Sequence, residues 1–427
     1  MRAAARNSNS MKLIADFHIH SRYSRATSSA ITLEALEQGA CRKGIKVLGT
    51  GDCTHPLWMK EMETKLEQTG SGFYLLRDSL LEPEKQVHFA VTGEISCIYS
   101  KGGKVRKIHI VVIFPDIAAA KKFNERLSKF NLHSDGRPIL GLDTKELLKI
   151  FLDCAPQGLF VPGHCFTPWF SVFGSKSGFD SLQECFEELT PEIYALETGL
   201  SADPAMVWRT SDGSRLSLLS NSDAHSIQKL GREANVFACD LDYTFIIGAI
   251  KKRDNSQFLN TIEFFPQEGK YYNDGHANCQ ISFDPKETAR YNGLCPVCGQ
   301  KLTIGVLSRV EQIAQHPSGF KPEGAIGFKH IVPLEEIIAY VFGVGPTSRK
   351  VKEQYEKLVQ NVASEFELLL ETPIADIARH SDEGIAAAVE LVRLDKVQME
   401  AGYDGVYGKL KGLEAAHRKE KKQSKLI

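Results

Sequence analysis

Seven stretches of this chain set His, Asp or Glu where a short apolar run stops, and no other feature constrains the fold as much. They are Asp16-Phe17-His18-Ile19-His20, Gly51-Asp52-Cys53-Thr54-His55-Pro56, Gly93-Glu94-Ile95-Ser96, Ile108-His109-Ile110, Pro162-Gly163-His164-Cys165, Ala195-Leu196-Glu197-Thr198 and Asn221-Ser222-Asp223-Ala224-His225. Most of the runs leading into them are rich in Val, Ile, Leu or Phe, as parallel strands buried on both faces are. Ligand-type side chains at the carboxyl ends of such strands converge when the strands close into a barrel, whereas an open sheet gathers them at one switch point. The spread over six or more strand ends predicts a closed α/β barrel around a polynuclear metal site, and hydrolysis as its chemistry.

The segments between these stretches fit that alternation. Residues 12–19, 45–50, 87–92, 107–114, 158–161, 192–196 and 216–220 read as strands. Residues 31–43, 118–130, 144–153, a segment opening at Asp180-Ser181 and 243–252 read as helices. After Pro266 the texture turns polar, becomes Pro- and Gly-rich between Pro317 and Pro333, and then reads as helix over 334–342, 348–371 and 374–400. The expected organisation is an N-terminal tail at 1–10 with Met11 as a candidate start, a metal-dependent barrel at 11–266, a zinc-binding element at 267–305, a helical C-terminal domain at 306–405 and a basic tail at 406–427.

A net charge of −1 over 427 residues leaves any nucleic-acid contact to local basic patches. No apolar stretch is long enough to span a bilayer, and residues 1–10 lack the apolar core of a secretory signal. Seven of the ten cysteines are scattered singly, which fits reduced thiols in a cytoplasmic protein.

Two histidines two apart on a strand share a face, so His18 and His20 can reach one ion together. Asp223 and His225 repeat that spacing. Imidazole and carboxylate donors in combination suit Zn(II), Mn(II) or Fe(II), while Mg(II) favours oxygen alone. Closely spaced ions clamp the attacking and leaving oxygens of an in-line displacement, which makes phosphoesters the expected substrates. His18, His20, Glu94 and Asp223 are the expected centre of that chemistry, and Gly93 is expected to leave space beside an ion. Glu197 reads as a side chain that orients a ligand, Cys53 and Cys165 as small buried fillers, and His133 as a surface residue of a polar loop.

A second metal pattern lies further on. His276-Ala277-Asn278-Cys279 and Cys295-Pro296-Val297-Cys298 stand fifteen residues apart, a tetrahedral zinc spacing. Protein fills all four positions (His276, Cys279, Cys295, Cys298), so the expected zinc is structural. For phosphate contact the candidates are Lys101, Lys104, Arg106 and Lys107 on a hairpin tip, Arg232, Lys229 and the 347–353 segment. Trp169 and Phe170 are candidates for stacking on nucleotides. The terminal Gln423–Ile427 loosely resembles a sliding-clamp peptide, with a solvated basic tail as the other reading.

The barrel motifs, in their order along 12–265, resemble the polymerase-and-histidinol-phosphatase (PHP) domain. The resemblance implies a distorted (β/α)7 barrel holding two to three divalent ions, zinc with manganese or magnesium as alternatives in activity. It assigns one ion to His18, His20, Glu94 and Asp223, a second to Glu94, His109 and His164, and a third to His55 and His225 with Asp52 at or next to it. The histidine that many PHP proteins carry soon after the first pair is missing from Arg22 to Ala30. Over nearly the whole chain the sequence resembles the endonuclease Q family, through Gly163–Phe170, Glu197–Ser201, Ser220–His225, Asp274-Gly275-His276 and Cys295–Gly299. That implies a nucleoid-associated repair enzyme that cuts DNA, duplex or single-stranded, 5′ to uracil, hypoxanthine, xanthine or an abasic site, with the damaged base flipped out. The rivals are a small-molecule phosphatase of the PHP family and a DNA-binding module with a vestigial barrel. The zinc element and helical extension speak against the first, and the nearly complete ligand set against the second.

Overall fold

The computed structural model describes residues 12–413. The N-terminal tail with Met11, the end of the basic tail and the clamp-like Gln423–Ile427 lie outside the described residues. Among the described residues no helix is long and apolar enough to cross a membrane.

The architecture is mixed α/β, with a central sheet and a helical C-terminal region. Its first strands are β1 (Leu13–Asp16), β2 (Val47–Gly49) and β3 (His88–Lys101), which pair in parallel in that order. β4 (Lys104–Phe114) then turns back on β3 as an antiparallel hairpin paired from Val91–Phe114 to Lys101–Lys104. A two-residue connection allows no other direction, since a parallel return needs a crossover. Gly102 and Gly103 make that turn, both in the left-handed region at φ 61° and 73°. β5 (Leu159–Pro162) lies antiparallel to β4, and β6 (Ala195–Glu197) and β7 (Ser217–Leu219) form a parallel pair of their own.

Three further strands extend the other edge. β8 (Ala234–Phe237) pairs antiparallel with β1, β9 (Phe258–Glu263) antiparallel with β8, and β10 (Gly327–His330) parallel with β9. The expected regular β/α repeat is thus interrupted by the β3–β4 hairpin and by these added strands.

Single contacts join the β6–β7 pair to the rest. Beyond β5, Cys165 N donates to Glu197 O at 2.9 Å. Ile19 and Ala224 form an isolated parallel bridge, with His20 N donating to Ala224 O at 3.0 Å. At this seam two asparagines stand in for a ladder. Phe17 N donates to Asn221 Oδ1 at 2.9 Å, and Asn235 Nδ2 donates to Ser220 O at 2.8 Å.

β2, β5, β6, β7 and β8 are buried along their whole length, on both faces. Val111, Ile113, Leu159 and Val161 pack in one apolar cluster with Ala15, Phe17 and the helix Tyr243–Lys252. Their neighbours Ile110, Val112 and Phe160 pack in a second cluster with the flanking helices, the alternation of a pleated strand. This second cluster runs on without a break into the C-terminal helices, through Leu334, Ile338, Leu369 and Val389. A buried ion pair reinforces the junction: Lys43 Nζ lies 2.5 Å from Glu365 Oε2.

The two long C-terminal helices expected from the sequence are each broken. Arg349–Asn361 stops before Glu365–Leu370, because Ser364 and Glu367 form a capping box that starts a new helix. Ile374–His380 stops before Glu383–Arg393, which Asp382 caps.

Candidate metal centre

Segments just past β1, β5 and β7 and the middle of the β3–β4 hairpin deliver their ligand-type side chains to one place, so Glu94 and His109 stand inside strands and not at the strand ends expected. One nitrogen or carboxylate oxygen from each of His18, His20, Glu94 and Asp223 falls within 4.8 Å of the others, and so does one from each of Glu94, His109 and His164. Glu94 is the joint between the two groups. Its Oε2 lies 3.5 Å from His18 Nε2 and 3.2 Å from His20 Nε2, and its Oε1 lies 2.6 Å from His109 Nδ1 and 3.2 Å from His164 Nε2. Asp223 Oδ1 stands 3.0 Å from His20 Nε2 and 3.7 Å from His18 Nε2.

Other side chains fix which nitrogen each ring offers. Glu197 holds His18 Nδ1 at 3.0 Å and also accepts from His164 N at 2.8 Å and Asn221 Nδ2 at 2.9 Å. His18 Nε2 is then a fully buried nitrogen with no hydrogen-bond partner, turned toward two carboxylates. That is what a metal ligand without its ion looks like, so the residues present fit the group the resemblance implies. Asp52 holds His20 Nδ1 at 3.0 Å, and Thr167 Oγ1 lies 2.9 Å from His164 Nδ1. Three of the strand-end residues, Asp52, His164 and Asp223, sit at positive φ (46°, 27° and 46°). Such strain at non-glycine residues persists only where the surroundings over-determine it. One bracing residue is Asp16, whose carboxylate accepts from Ser222 N and Gly231 N at 3.0 and 3.1 Å while burial raises its pKa to about 6.

The electrostatics favour bound positive charge. Burial opposes a charge on Glu94, but His109, Arg137 and His18 overcome it and hold the carboxyl well below its ordinary range. Asp223 is lowered too, with His20 and His18 outweighing burial. Burial works against protonation of His18 and His20, yet the carboxylates around them raise both well above the ordinary imidazole value. Proton and divalent cation therefore compete for these nitrogens. At His109 burial dominates and lowers the pKa to about 4.

Among the described residues Asp52, His55 and His225 do not fall into one such group. Asp52 is saturated: Oδ1 meets His20, and Oδ2 accepts from Ser21 N, Ser21 Oγ and Ser24 Oγ at 2.7, 2.6 and 2.9 Å. His55 precedes the helix Pro56–Lys65, stacks on Tyr23 at 4.4 Å and directs Nε2 to His133 O at 3.3 Å. His225 stays beside the first group, its ring 4.4 Å from His20 and its Nδ1 2.9 Å from Asp223 O. The space foreseen beside Gly93 is taken by Cys53, whose Sγ would lie 3.0 Å from an added Cβ. Cys53 and Cys165 are buried, and burial raises both thiols.

Sequence reasoning missed Arg137. Its Nη1 donates to Glu94 Oε2 at 3.0 Å from a loop read as solvent-facing. The one signal was an arginine between glycine and proline, Gly136-Arg137-Pro138, in the same loop as His133.

The expected DNA contacts divide. Lys101 Nζ is 2.7 Å from Glu187 and donates to Cys185 O at 2.9 Å. Arg106 is buried, lies over the Phe179 ring at 3.9 Å and donates to Gly178 O and Lys101 O. Arg232 donates to Ser222 O at 2.7 Å and Asp223 O at 3.2 Å, bracing the loop that carries Asp223. These three cations are engaged by protein acceptors, Arg106 alone of them being buried. Outside the hairpin, Lys229 pairs with Glu336 and Arg349 with Glu353. Lys104 stays exposed at the hairpin tip, and Lys107 Nζ lies 5.4 Å over the Phe170 ring. Phe170 packs on His109 at 4.7 Å, while Trp169 is 41% exposed with one edge on Tyr271.

Apart from this centre, His276, Cys279, Cys295 and Cys298 also bring their donor atoms within 4.8 Å of one another. A hairpin of Asp274–His276 and Ile281–Phe283 supplies the first pair. The second sits in a knuckle in which Gly299, at φ 73°, donates to Cys295 O at 2.8 Å. Burial opposes thiolate formation at Cys295, but the amides of Cys298 and Val297 lower its pKa to about 7.

Several known proteins are similar to this chain. The MJ0043 C-terminal domain model matches residues 333–396. Uncharacterized protein YqxK of Bacillus subtilis is 31% identical over 414 residues, covering 94% of this chain and 99% of that protein. Uncharacterized protein MJ0043 of Methanocaldococcus jannaschii is 32% identical over 259 residues, covering 58% of this chain and 31% of that one. The crystal structure of the lesion-specific endonuclease PfuEndoQ from Pyrococcus furiosus matches at 31% identity and a TM-score of 0.82, over 94% of this chain and 95% of that one. A structure of Endonuclease Q in complex with a 27-mer duplex substrate, with an abasic lesion at the active site, matches at 31% and 0.82, over 95% and 98%.

Proposed function

The chain belongs to the endonuclease Q family, and from that premise we propose that it is a metal-dependent DNA-repair endonuclease. It hydrolyses the phosphodiester 5′ to deaminated bases (uracil, hypoxanthine, xanthine) or abasic sites, in duplex or single-stranded DNA, and works at the nucleoid. The observation that carries this reading is the pair of ligand groups joined at Glu94, with His18 Nε2 buried and unpartnered between carboxylates.

The barrel is read as the distorted (β/α)7 PHP type. β1 to β7 supply its seven strands, and the contacts at Cys165–Glu197 and Ile19–Ala224 support closure. His18, His20, Glu94 and Asp223 would hold one divalent ion and Glu94, His109 and His164 a second, zinc in the first instance. Such ions polarise a phosphodiester and lower the pKa of an attacking water. Glu197, Asp52 and Thr167 keep the histidine rings in the one tautomer that leaves a nitrogen free toward Glu94. Without that orientation the rings would offer a proton where a lone pair is required.

His276, Cys279, Cys295 and Cys298 would hold one structural zinc. Lys104, Lys107 and Trp169 are the cations and the aromatic left free to meet DNA. Trp169 follows His164 closely in sequence, so a base stacked on it lies beside the centre.

The test is cleavage of end-labelled duplex carrying one deoxyuridine, deoxyinosine or abasic site, with and without chelator, beside Asp223→Ala. Chelator-sensitive nicking 5′ to the lesion, absent in the variant, is expected. Intact DNA alongside phosphate release from small esters would instead identify a phosphatase.

A further inference from the structure

The loop that carries Arg137 is clamped more firmly than a surface connection needs. Asp135, 5% exposed, accepts from Arg25 N at 3.3 Å and Arg137 N at 3.1 Å. Gly136 N donates to Tyr23 O at 2.9 Å, and Gly136 O accepts from Thr54 Oγ1 at 3.2 Å. A side chain at Gly136 would run into Asp52 Oδ2 and Ser24 Oγ, the group that orients His20. Pro138 O then accepts from Ser96 N at 3.0 Å. The backbone on both sides of Arg137 is thereby tied to the scaffold of the metal centre itself.

The side chain so placed is a 25%-exposed guanidinium on Glu94 Oε2, the joint of the two ligand groups. Only Nη1 has a protein acceptor among the described residues; Nε and Nη2 donate to none. The two groups together contain two carboxylates, Glu94 and Asp223. Two divalent ions held there would add positive charge beside the guanidinium, and an anionic substrate group would be the natural counterion to both. An oxyanion that met ions in both groups would come close to Glu94, on which the Arg137 guanidinium already stands.

We infer that Arg137 contacts the scissile phosphate, donating from its guanidinium to a non-bridging oxygen on which charge grows during hydrolysis; this rests on the phosphodiesterase reading above. No bond to Arg137 forms or breaks. It is a charge-stabilising catalytic residue, and its weight falls on kcat because the charge it meets is largest in the transition state.

The experiment uses the full chain as wild type, Arg137→Met and Arg137→Lys. The Lys variant keeps the charge without the planar fork and guards against a folding defect in the Met variant. Three quantities are measured: bound metal by mass spectrometry, affinity of the metal-loaded protein for inorganic phosphate by calorimetry, and kcat and KM on abasic-site duplex. Expected are unchanged metal content, phosphate affinity lowered about tenfold or more in Arg137→Met, and kcat lowered on the order of 10²-fold with KM little changed. Arg137→Lys should recover part of both losses. Phosphate affinity in Arg137→Met equal to wild type overturns the inference, and so does metal content falling in step with activity, which would leave Arg137 only a positioner of Glu94. Wild-type protein that holds its metals and binds phosphate but leaves lesion DNA intact would instead sink the endonuclease reading, with the phosphate arm still deciding the role of Arg137.

Discussion

The histidine–carboxylate centre and the cysteine knuckle both gather metal-type donors within 4.8 Å, and nearly everything else about them differs. The knuckle draws its donors from one local segment, His276 to Cys298, leaves Cys298 exposed, and fills four positions with protein. The histidine–carboxylate centre draws on segments all the way from His18 to Asp223. It buries His18, His20 and Glu94 almost completely and keeps Asp223 29% exposed at its mouth. Behind its rings stand Glu197, Asp52 and Thr167, whereas the knuckle relies on backbone amides. Donors supported from behind and open in front suit catalysis; donors closed on all sides suit a structural ion.

The sharpest way to break this comparison is to remove the open-sided donor. Asp223→Ala should lower kcat/KM on lesion duplex by at least about 10³-fold, and mild chelation should do the same while knuckle zinc remains. Loss of knuckle zinc before activity would reverse the assignment.

Next in size is Glu197→Ala, which frees His18 Nδ1 and leaves Asn221 and His164 N without their acceptor. Metal affinity at the histidine–carboxylate centre should fall about 10- to 100-fold with the knuckle zinc untouched, as read by titration with a metal indicator.

Cys298→Ser should do the converse. One zinc equivalent is lost and the 274–305 segment becomes protease-sensitive, while single-turnover cleavage falls less than about tenfold. A complete loss of cleavage would mean that the knuckle takes part in the chemistry.

The smallest effect is a pH dependence at Glu263. Burial raises Glu263 from its ordinary 4.5 to about 8, against hydrogen bonds from Thr261 and Thr198. Its buried neighbour Glu233 is raised too, by burial and by Glu263. A carboxyl with a raised folded pKa binds its proton more tightly in the native state. Its stability contribution is therefore complete below about pH 4.5 and is lost as pH rises toward about 8. Glu263→Gln should flatten the fall of Tm between pH 5 and pH 8, measured by thermal melts at both ends.

Much of the histidine–carboxylate centre was legible because its signal is local. A ligand-type side chain just past an apolar run is a property of a few adjacent residues at His18, His164 and Asp223, whereas Glu94 and His109 stand inside the hairpin strands. The hairpin was legible in the same way, since Gly102-Gly103 between two apolar runs is turn chemistry. The cations were not. Lys101, Lys104, Arg106 and Lys107 look alike in sequence, yet Lys101 and Arg106 end on protein partners, on Glu187 and on Gly178 O and Phe179. A long flexible side chain has many partners within reach, and the backbone around it decides which one it meets.

By itself, then, the sequence determined the α/β character and which side chains gather in the two donor clusters, because strand burial, ligand chemistry and knuckle spacing are written in neighbouring residues. Tertiary structure alone decided that Glu94 joins two groups, that Asp52 saturates on serines while His55 turns to Tyr23, that β10 joins the central sheet, and that Arg137 reaches Glu94 across 43 residues. Each of these depends on where distant segments meet, and chain closure leaves no trace of that meeting in the local pattern of residues.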